Sequence, residues 1–242
     1  MQTRDIDYFD GAARLNGYLA MEAGAARRPG VLVFHEGLGL GDFAMQRARR
    51  LAGLGYVAFA ADMFGDRRQA HDLQEAGALI GPLRGNPAAL RQRARAAVSV
   101  LAALPEVDAN RIAAIGFCFG GAVALELARD NADLKAVVSF HGVLTSKSPA
   151  REGEVKAAIL VLTGADDPLA PPDQVLAFAD EMRAAKVRDW QVETYGNALH
   201  GFTNPSADSS TMRAALHDPR ADRRSWASMQ RLLEEVFDDG VR

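Results

Sequence analysis

A short apolar run that enters a five-residue turn and becomes an amphipathic helix without any linker constrains this chain more than any other feature. It reads Arg111-Ile-Ala-Ala-Ile-Gly116-Phe117-Cys118-Phe119-Gly120-Gly121-Ala-Val-Ala-Leu-Glu-Leu-Ala-Arg129. A strand can turn straight into a helix only where the residues beside the apex carry no side chains, which Gly116 and Gly120 satisfy. The apex residue, Cys118, is then presented at the helix N-terminus, where unpaired N–H groups and the helix dipole favour an anionic sulfur. An isolated cysteine is most simply a small core residue. One flanked by these two glycines reads as a nucleophile. Cys118 is also the only cysteine in the chain, so no internal disulfide can form.

The rest of the sequence supplies the frame such a turn needs. Ile6–Asp10 and Ala13–Met21 surround Gly11 and predict an edge hairpin. The run from Gly30 to His35, then Tyr56–Ala61, Arg111–Phe117, Ala136–Phe140, Ala157–Thr163 and Trp190–Tyr195 predict strands, most of them apolar enough to be covered on both faces. Helices are predicted from Asp42 to Gly55 with Asp42 as cap, over Pro87–Leu104 with Asn86 as cap, and over Cys118–Arg129, Pro172–Ala185 and Ser225–Phe237. Residues 62–86, with several glycines and Pro82, predict a loose excursion with short helical pieces. Strands alternating with helices predict one α/β domain over residues 1–242, a mostly parallel, doubly wound sheet with helices on both faces. In such a sheet the chemistry gathers along the edge formed by the strand C-terminal ends.

Composition closes off several classes of function. A formal charge of −3 gives no reason to expect nucleic acid or an anionic membrane as partner. No Cys/His cluster has zinc-ligand spacing, and no metal or organic cofactor is expected. No run approaches 18 apolar residues, and the N-terminus lacks the apolar core of a signal peptide. The expectation is a cytoplasmic protein with a reduced thiol, a monomer by default, acting on a small molecule.

Two further strand ends carry matching chemistry. Gly164-Ala-Asp166-Asp167-Pro168 places carboxylates just after one strand, and Tyr195-Gly-Asn-Ala-Leu-His200-Gly201 places a histidine after the last. The order cysteine, aspartate, histidine is the chain order of nucleophile, acid and base in α/β-hydrolases. Asp167, where the chain turns away before Pro168, is preferred to Asp166 as the residue that orients His200. The loop Phe34-His35-Glu36-Gly37 follows the first long strand, so the N–H groups of Phe119 and Gly37 are expected to form the oxyanion hole. Glu36 is the unexpected member. A carboxylate there would repel the charge forming on an oxyanion, so either it points outward or it has a purpose.

Taken together, His35-Glu36-Gly37-Leu-Gly-Leu, Gly116-Phe-Cys118-Phe-Gly-Gly121, Gly164-Ala-Asp-Asp167-Pro-Leu-Ala-Pro171 and Tyr195-Gly-Asn-Ala-Leu-His200-Gly-Phe resemble the dienelactone hydrolase (carboxymethylenebutenolidase) family of α/β-hydrolases. The resemblance implies an ester or lactone substrate, a thioester acyl-enzyme on Cys118, and a thiol kept neutral at rest by contact with Glu36. That glutamate would move on substrate binding and take the thiol proton. The resemblance also implies arginines that hold a substrate carboxylate, one of them four residues after the histidine. Here that position is Asn204, and Arg84, or another arginine of 66–84, would have to supply the charge. The alternatives are a broad carboxylesterase and a non-catalytic small-molecule-binding protein on the same fold.

Overall fold

Residues that are apolar at every position have no solvent face, so their strands must lie in the middle of a sheet. The computed structural model describes residues 1–24 and 26–238. Its strands are β1 (Gln2–Asp10), β2 (Ala13–Met21), β3 (Arg28–Phe34), β4 (Val57–Ala61), β5 (Val107–Phe117), β6 (Ala136–Phe140), β7 (Ala158–Gly164) and β8 (Trp190–Tyr195). They form one sheet in the order β1-β2-β4-β3-β5-β6-β7-β8. β4, β6 and β7 are buried at every position, whereas β1, at one edge, is largely exposed. β2 pairs antiparallel with β1 and β4, and every other pairing is parallel.

The helices are α1 (Asp42–Ala52), α2 (Leu73–Gly85), α3 (Pro87–Ala103), α4 (Phe119–Arg129), α5 (Pro172–Ala184) and α6 (Pro219–Phe237). One face of the sheet packs on α1 and α6 through Ala44, Ala48, Leu51, Trp226, Met229 and Leu233. The other face packs on α3, α4 and α5 through Leu90, Ala94, Val123, Leu127, Phe178 and Met182. From β3 the chain moves outward to β4 in one direction, while β5 and its successors extend in the other. The loops after β3 and β5 therefore diverge and open a crevice at the strand C-terminal ends. They are the loops that carry Glu36 and Cys118.

Three local expectations are corrected. Residues 73–85 form a full 13-residue helix rather than loose pieces. Asp72 caps it by accepting from the Glu75 N–H at 2.8 Å, and the Glu75 carboxylate accepts in turn from the His71 N–H at 3.0 Å. These caps overcome the poor propensity of Gly77, Gly81 and Pro82. The cap of α1 is Gly41, with Asp42 inside the first turn, where its charge suits the dipole. The last helix begins at Pro219, six residues before the expected Ser225. Asp218 caps it, accepting from the N–H groups of Arg220 and Ala221, and Pro219 stands at its first position.

Candidate active site

The turn between β5 and α4 is as tight as its glycines demand. A Cβ on Gly116 would lie 2.0 Å from the Gly120 carbonyl oxygen, and one on Gly120 would lie 2.2 Å from that of Phe34. Between them Cys118 takes φ 54° and ψ −115°, a left-handed conformation that costs a non-glycine residue on the order of 1–3 kcal/mol. The surroundings enforce it. The Cys118 N–H points at both the Phe140 carbonyl (3.0 Å) and His141 Nδ1 (3.2 Å). Cys118 itself is half-buried. Phe119 opens α4, so its N–H has no partner within the helix.

His200 reaches the same place from the loop after β8. Its Nδ1 lies 2.8 Å from Asp167 Oδ2, and both residues are almost fully buried. Asp167 is itself fixed, accepting from the Leu169 N–H at 2.8 Å through Oδ1. Gly164 allows the approach, because a Cβ there would lie 2.2 Å from the Ala198 carbonyl oxygen. Nε2 is buried with no formed hydrogen-bond partner among the described residues, a looseness usual in unliganded sites. Burial disfavours the imidazolium, yet the charge of the neighbouring Cys118 sulfur and the contact with Asp167 outweigh it, raising the His200 pKa to about 10. A thiolate and an imidazolium at this spot therefore stabilise each other.

Glu36 turns inward. It is half-buried, and one carboxylate oxygen accepts from Asn204 Nδ2 at 2.7 Å. Its hydrogen bond thus goes to Asn204 rather than to the thiol. Burial pushes its pKa up to about 7, against the opposing pull of the Asn204 amide and of the His200 and Arg47 charges. Asn204 is aimed by its own loop, because its Oδ1 accepts from the Ser206 N–H and leaves Nδ2 to donate. Gly37 follows, with Ile80 of α2 only 3.2 Å from where its Cβ would be. Beneath this loop, His35 bridges the Glu36 carbonyl (2.6 Å) and the Met63 N–H (3.2 Å), so a neutral ring protonated on Nδ1 satisfies both partners. Burial keeps His35 below its ordinary pKa.

Arg84 does not join this cluster. Its guanidinium lies 3.4 Å from Thr145 Oγ1, in a cleft of about 440 Å³ whose walls include Ile80, Leu90, Ala122 and Lys147. Ala122, on its wall, is one helical turn from Cys118. Asp166 stays out of the pair, its N–H bonded to the Ala198 carbonyl. Among the described residues no group of acidic, histidine or cysteine side chains could hold a metal ion, and no helix is long and apolar enough to cross a membrane.

Two further residues take part. His141 lies 5.2 Å, ring to ring, from His200. It accepts from the Cys118 N–H on Nδ1 and meets Thr203 Oγ1 at 2.8 Å on Nε2. Burial, then the nearby His200 and Arg47 charges, hold it neutral. Arg47 of α1 is also buried, donating to the Thr203 carbonyl. The sequence carried a signal for Arg47: it breaks into the apolar stripe formed by Ala44, Ala48 and Leu51.

Comparison with known proteins places this geometry. Residues 15–237 match the model of the family described as "Dienelactone hydrolase family". A solved dienelactone hydrolase-like promiscuous phosphotriesterase from metagenomic libraries is 47% identical, covers 98% of each chain and superposes with a TM-score of 0.92. An uncharacterized protein of Caenorhabditis elegans is 35% identical over 150 residues, 61% of this chain and 94% of its own. A protein of Methylorubrum extorquens described as a putative carboxymethylenebutenolidase is 28% identical over 201 residues, 78% of this chain and 69% of its own.

Proposed function

This chain belongs to the dienelactone hydrolase family of ester and lactone hydrolases, and from that premise we propose that it cleaves a small ester or lactone through a thioester on Cys118. The observation that carries the reading is the half-exposed thiol, held in a strained backbone at the start of α4 beside a histidine whose far nitrogen is fixed by Asp167. An ordinary thiol, with a pKa near ~8.5, is only about 3% ionised at neutral pH. Glu36, poised at about 7, has the pKa of an effective general base at that pH. On substrate binding it leaves Asn204 and takes the proton from Cys118 Sγ. The thiolate then pairs with the His200 imidazolium.

The thiolate attacks the carbonyl carbon, and the carbonyl electron pair moves onto oxygen. The N–H groups of Phe119 and Gly37 hold that oxyanion. Collapse breaks the bond to the alcohol oxygen, which takes the proton from His200 Nε2. In a lactone this alcohol stays tethered to the acyl group. His200, now neutral and oriented by Asp167, removes a proton from water as it attacks the thioester. Collapse releases the carboxylic acid and restores the thiolate, and Glu36 returns its proton. A substrate carboxylate would be held by Arg84 in the cleft beside α4. Asn204, committed to Glu36, brings no charge to that task. The action is that of a monomer in the cytoplasm, without a metal or cofactor.

The kinship with a phosphotriesterase favours a second reading, in which the same thiolate attacks phosphorus, the same two N–H groups hold the phosphoryl oxygen, and the bond to the aryloxide breaks as that oxygen takes the proton from His200. One experiment addresses both. Wild type and Cys118→Ala are assayed on aryl esters, on lactones with and without a carboxylate, and on an aryl dialkyl phosphotriester, with intact-protein mass spectrometry of the quenched mixtures. Expected are acyl or phosphoryl adducts on wild type alone, and loss of turnover in the variant. Undiminished turnover by Cys118→Ala refutes the mechanism. A preference for carboxylate-bearing lactones supports Arg84 as their anchor.

A further inference from the structure

The polar group least accounted for by the mechanism is Arg47. Its guanidinium carbon lies 4.8 Å from the ring centre of Phe43, 5.6 Å from that of Phe117 and 5.3 Å from that of Trp226. It pairs with Asp222 of α6 at 3.2 Å, and its side chain is 8% exposed. Placing a full charge among three aromatic rings is costly unless its donors are used. One of them is used on the catalytic loop, at the Thr203 carbonyl.

That contact makes Arg47 the hub of a connected set. The Thr203 hydroxyl meets His141, which receives the Cys118 N–H. The next residue, Asn204, donates to Glu36. Thus the turn gripped by Arg47 touches the nucleophile's backbone through one residue and the proposed base through the next. We propose that Arg47 is a positioning residue for the proton transfer. From behind the site it holds the Thr203–Asn204 turn so that Asn204 meets Glu36, and its charge favours the carboxylate form that the thiol needs. The inference rests on Glu36 being the base.

The charged and titratable groups around Glu36 are few. His200 faces it from the loop after β8 and Arg47 from α1, and Asn204 is its neutral partner. His35, its neighbour in the chain, is neutral, and Cys118 is the remaining titratable group of the site. Around Arg47 stand Asp222, Glu36, His141 and Arg50 of its own helix, with His217 3.7 Å from Asp222. The two members of the buried pair should therefore act on Glu36 with opposite sign.

The test is the acid limb of kcat/KM against pH for an activated aryl ester, with thermal unfolding in parallel. In wild type the limb is expected near pH 7. Arg47→Met should move it to higher pH by about one unit, as expected for loss of a nearby opposite charge. Asp222→Asn, which leaves the guanidinium unneutralised, should move it to lower pH, and Arg47→Lys should restore part of the wild-type position. A purely structural arginine predicts lower Tm and kcat with the limb fixed, and that result overturns the proposal. If Arg47→Met fails to fold, Asp222→Asn decides alone, because a limb that does not fall refutes it. Glu36→Gln separates the two readings. A limb that persists there overturns the base assignment and the inference with it. A limb lost in Glu36→Gln but unmoved in Arg47→Met and Asp222→Asn overturns the inference alone.

Discussion

Replacing Glu36 by glutamine should make the protein more stable and less active, and the gain in stability should depend on pH. Folding raises the Glu36 pKa from the ordinary 4.5 to about 7. Between those two values the folded chain holds a proton that the unfolded chain has released, so stability falls as pH rises through that window. At about 1.4 kcal/mol per pH unit the full penalty above pH 7 is about 3 kcal/mol. The side chain is only half-buried, and solvent screening reduces this to about 1–2 kcal/mol. Glutamine copies the shape and neutrality of the protonated acid and removes the penalty. At pH 8 its Tm should exceed that of wild type by about 2–8 °C, from roughly 2–4 °C per kcal/mol in a domain of this size. At pH 3, below both values, wild-type Glu36 is protonated in both states and the two proteins should melt together. Calorimetry at both pH values checks this, beside an ester assay in which kcat/KM falls at least a hundredfold. A variant no more stable than wild type at pH 8, or equally stabilised at pH 3, refutes the claim that folding disfavours this carboxylate.

Other substitutions probe the rest of the constellation. Gly116→Ala puts a methyl against the Gly120 carbonyl oxygen, a backbone atom with no freedom to retreat. It should cost at least about 3 kcal/mol, measured by urea unfolding, and lower soluble yield. Asp167→Asn preserves the shape of the group on His200 Nδ1 but reverses the tautomer it favours. A fall in kcat of about a thousandfold or more is expected with KM little changed. The same substitution removes one cause of the raised His200 pKa, so the alkaline limb of kcat should move below the wild-type limb near pH 10. A limb that stays in place would show that Asp167 does not charge-stabilise the ring.

Most of the frame was legible because its causes are local. The β5–α4 turn needs glycine on both sides of a nucleophile between a strand and a helix, and Gly116, Cys118 and Gly120 meet that demand within five residues. The buried strands could be read from unbroken apolar runs such as Ala136–Phe140. Helix α2 was missed because its three glycines and Pro82 argue against a helix, while the caps that decide the matter, Asp72 and Glu75, are single residues at one end. The Glu36–Asn204 contact was beyond the reach of pattern, since it joins two loops 168 positions apart. Asn204 was read only as a missing arginine, and its use became visible once the loops were brought together. Arg47 left a trace in the sequence, a charge in an apolar stripe, but its partner Asp222 lies in a helix whose first turn was not anticipated.

The neutral residue at 204 is also what the proposed chemistry calls for. A base that must take a proton from a thiol near pH 7 and later give it back cannot hold that proton too weakly. An arginine bonded directly to Glu36 would lower its pKa by about 1–3 units and leave a carboxylate already satisfied by a salt bridge. An amide offers a single neutral donor. With Asn204 in contact and the cation of Arg47 set back among aromatic rings and partly neutralised by Asp222, burial remains the dominant influence on Glu36. The carboxylate therefore sits near its proton-exchange point and is held by one hydrogen bond, which substrate binding can break.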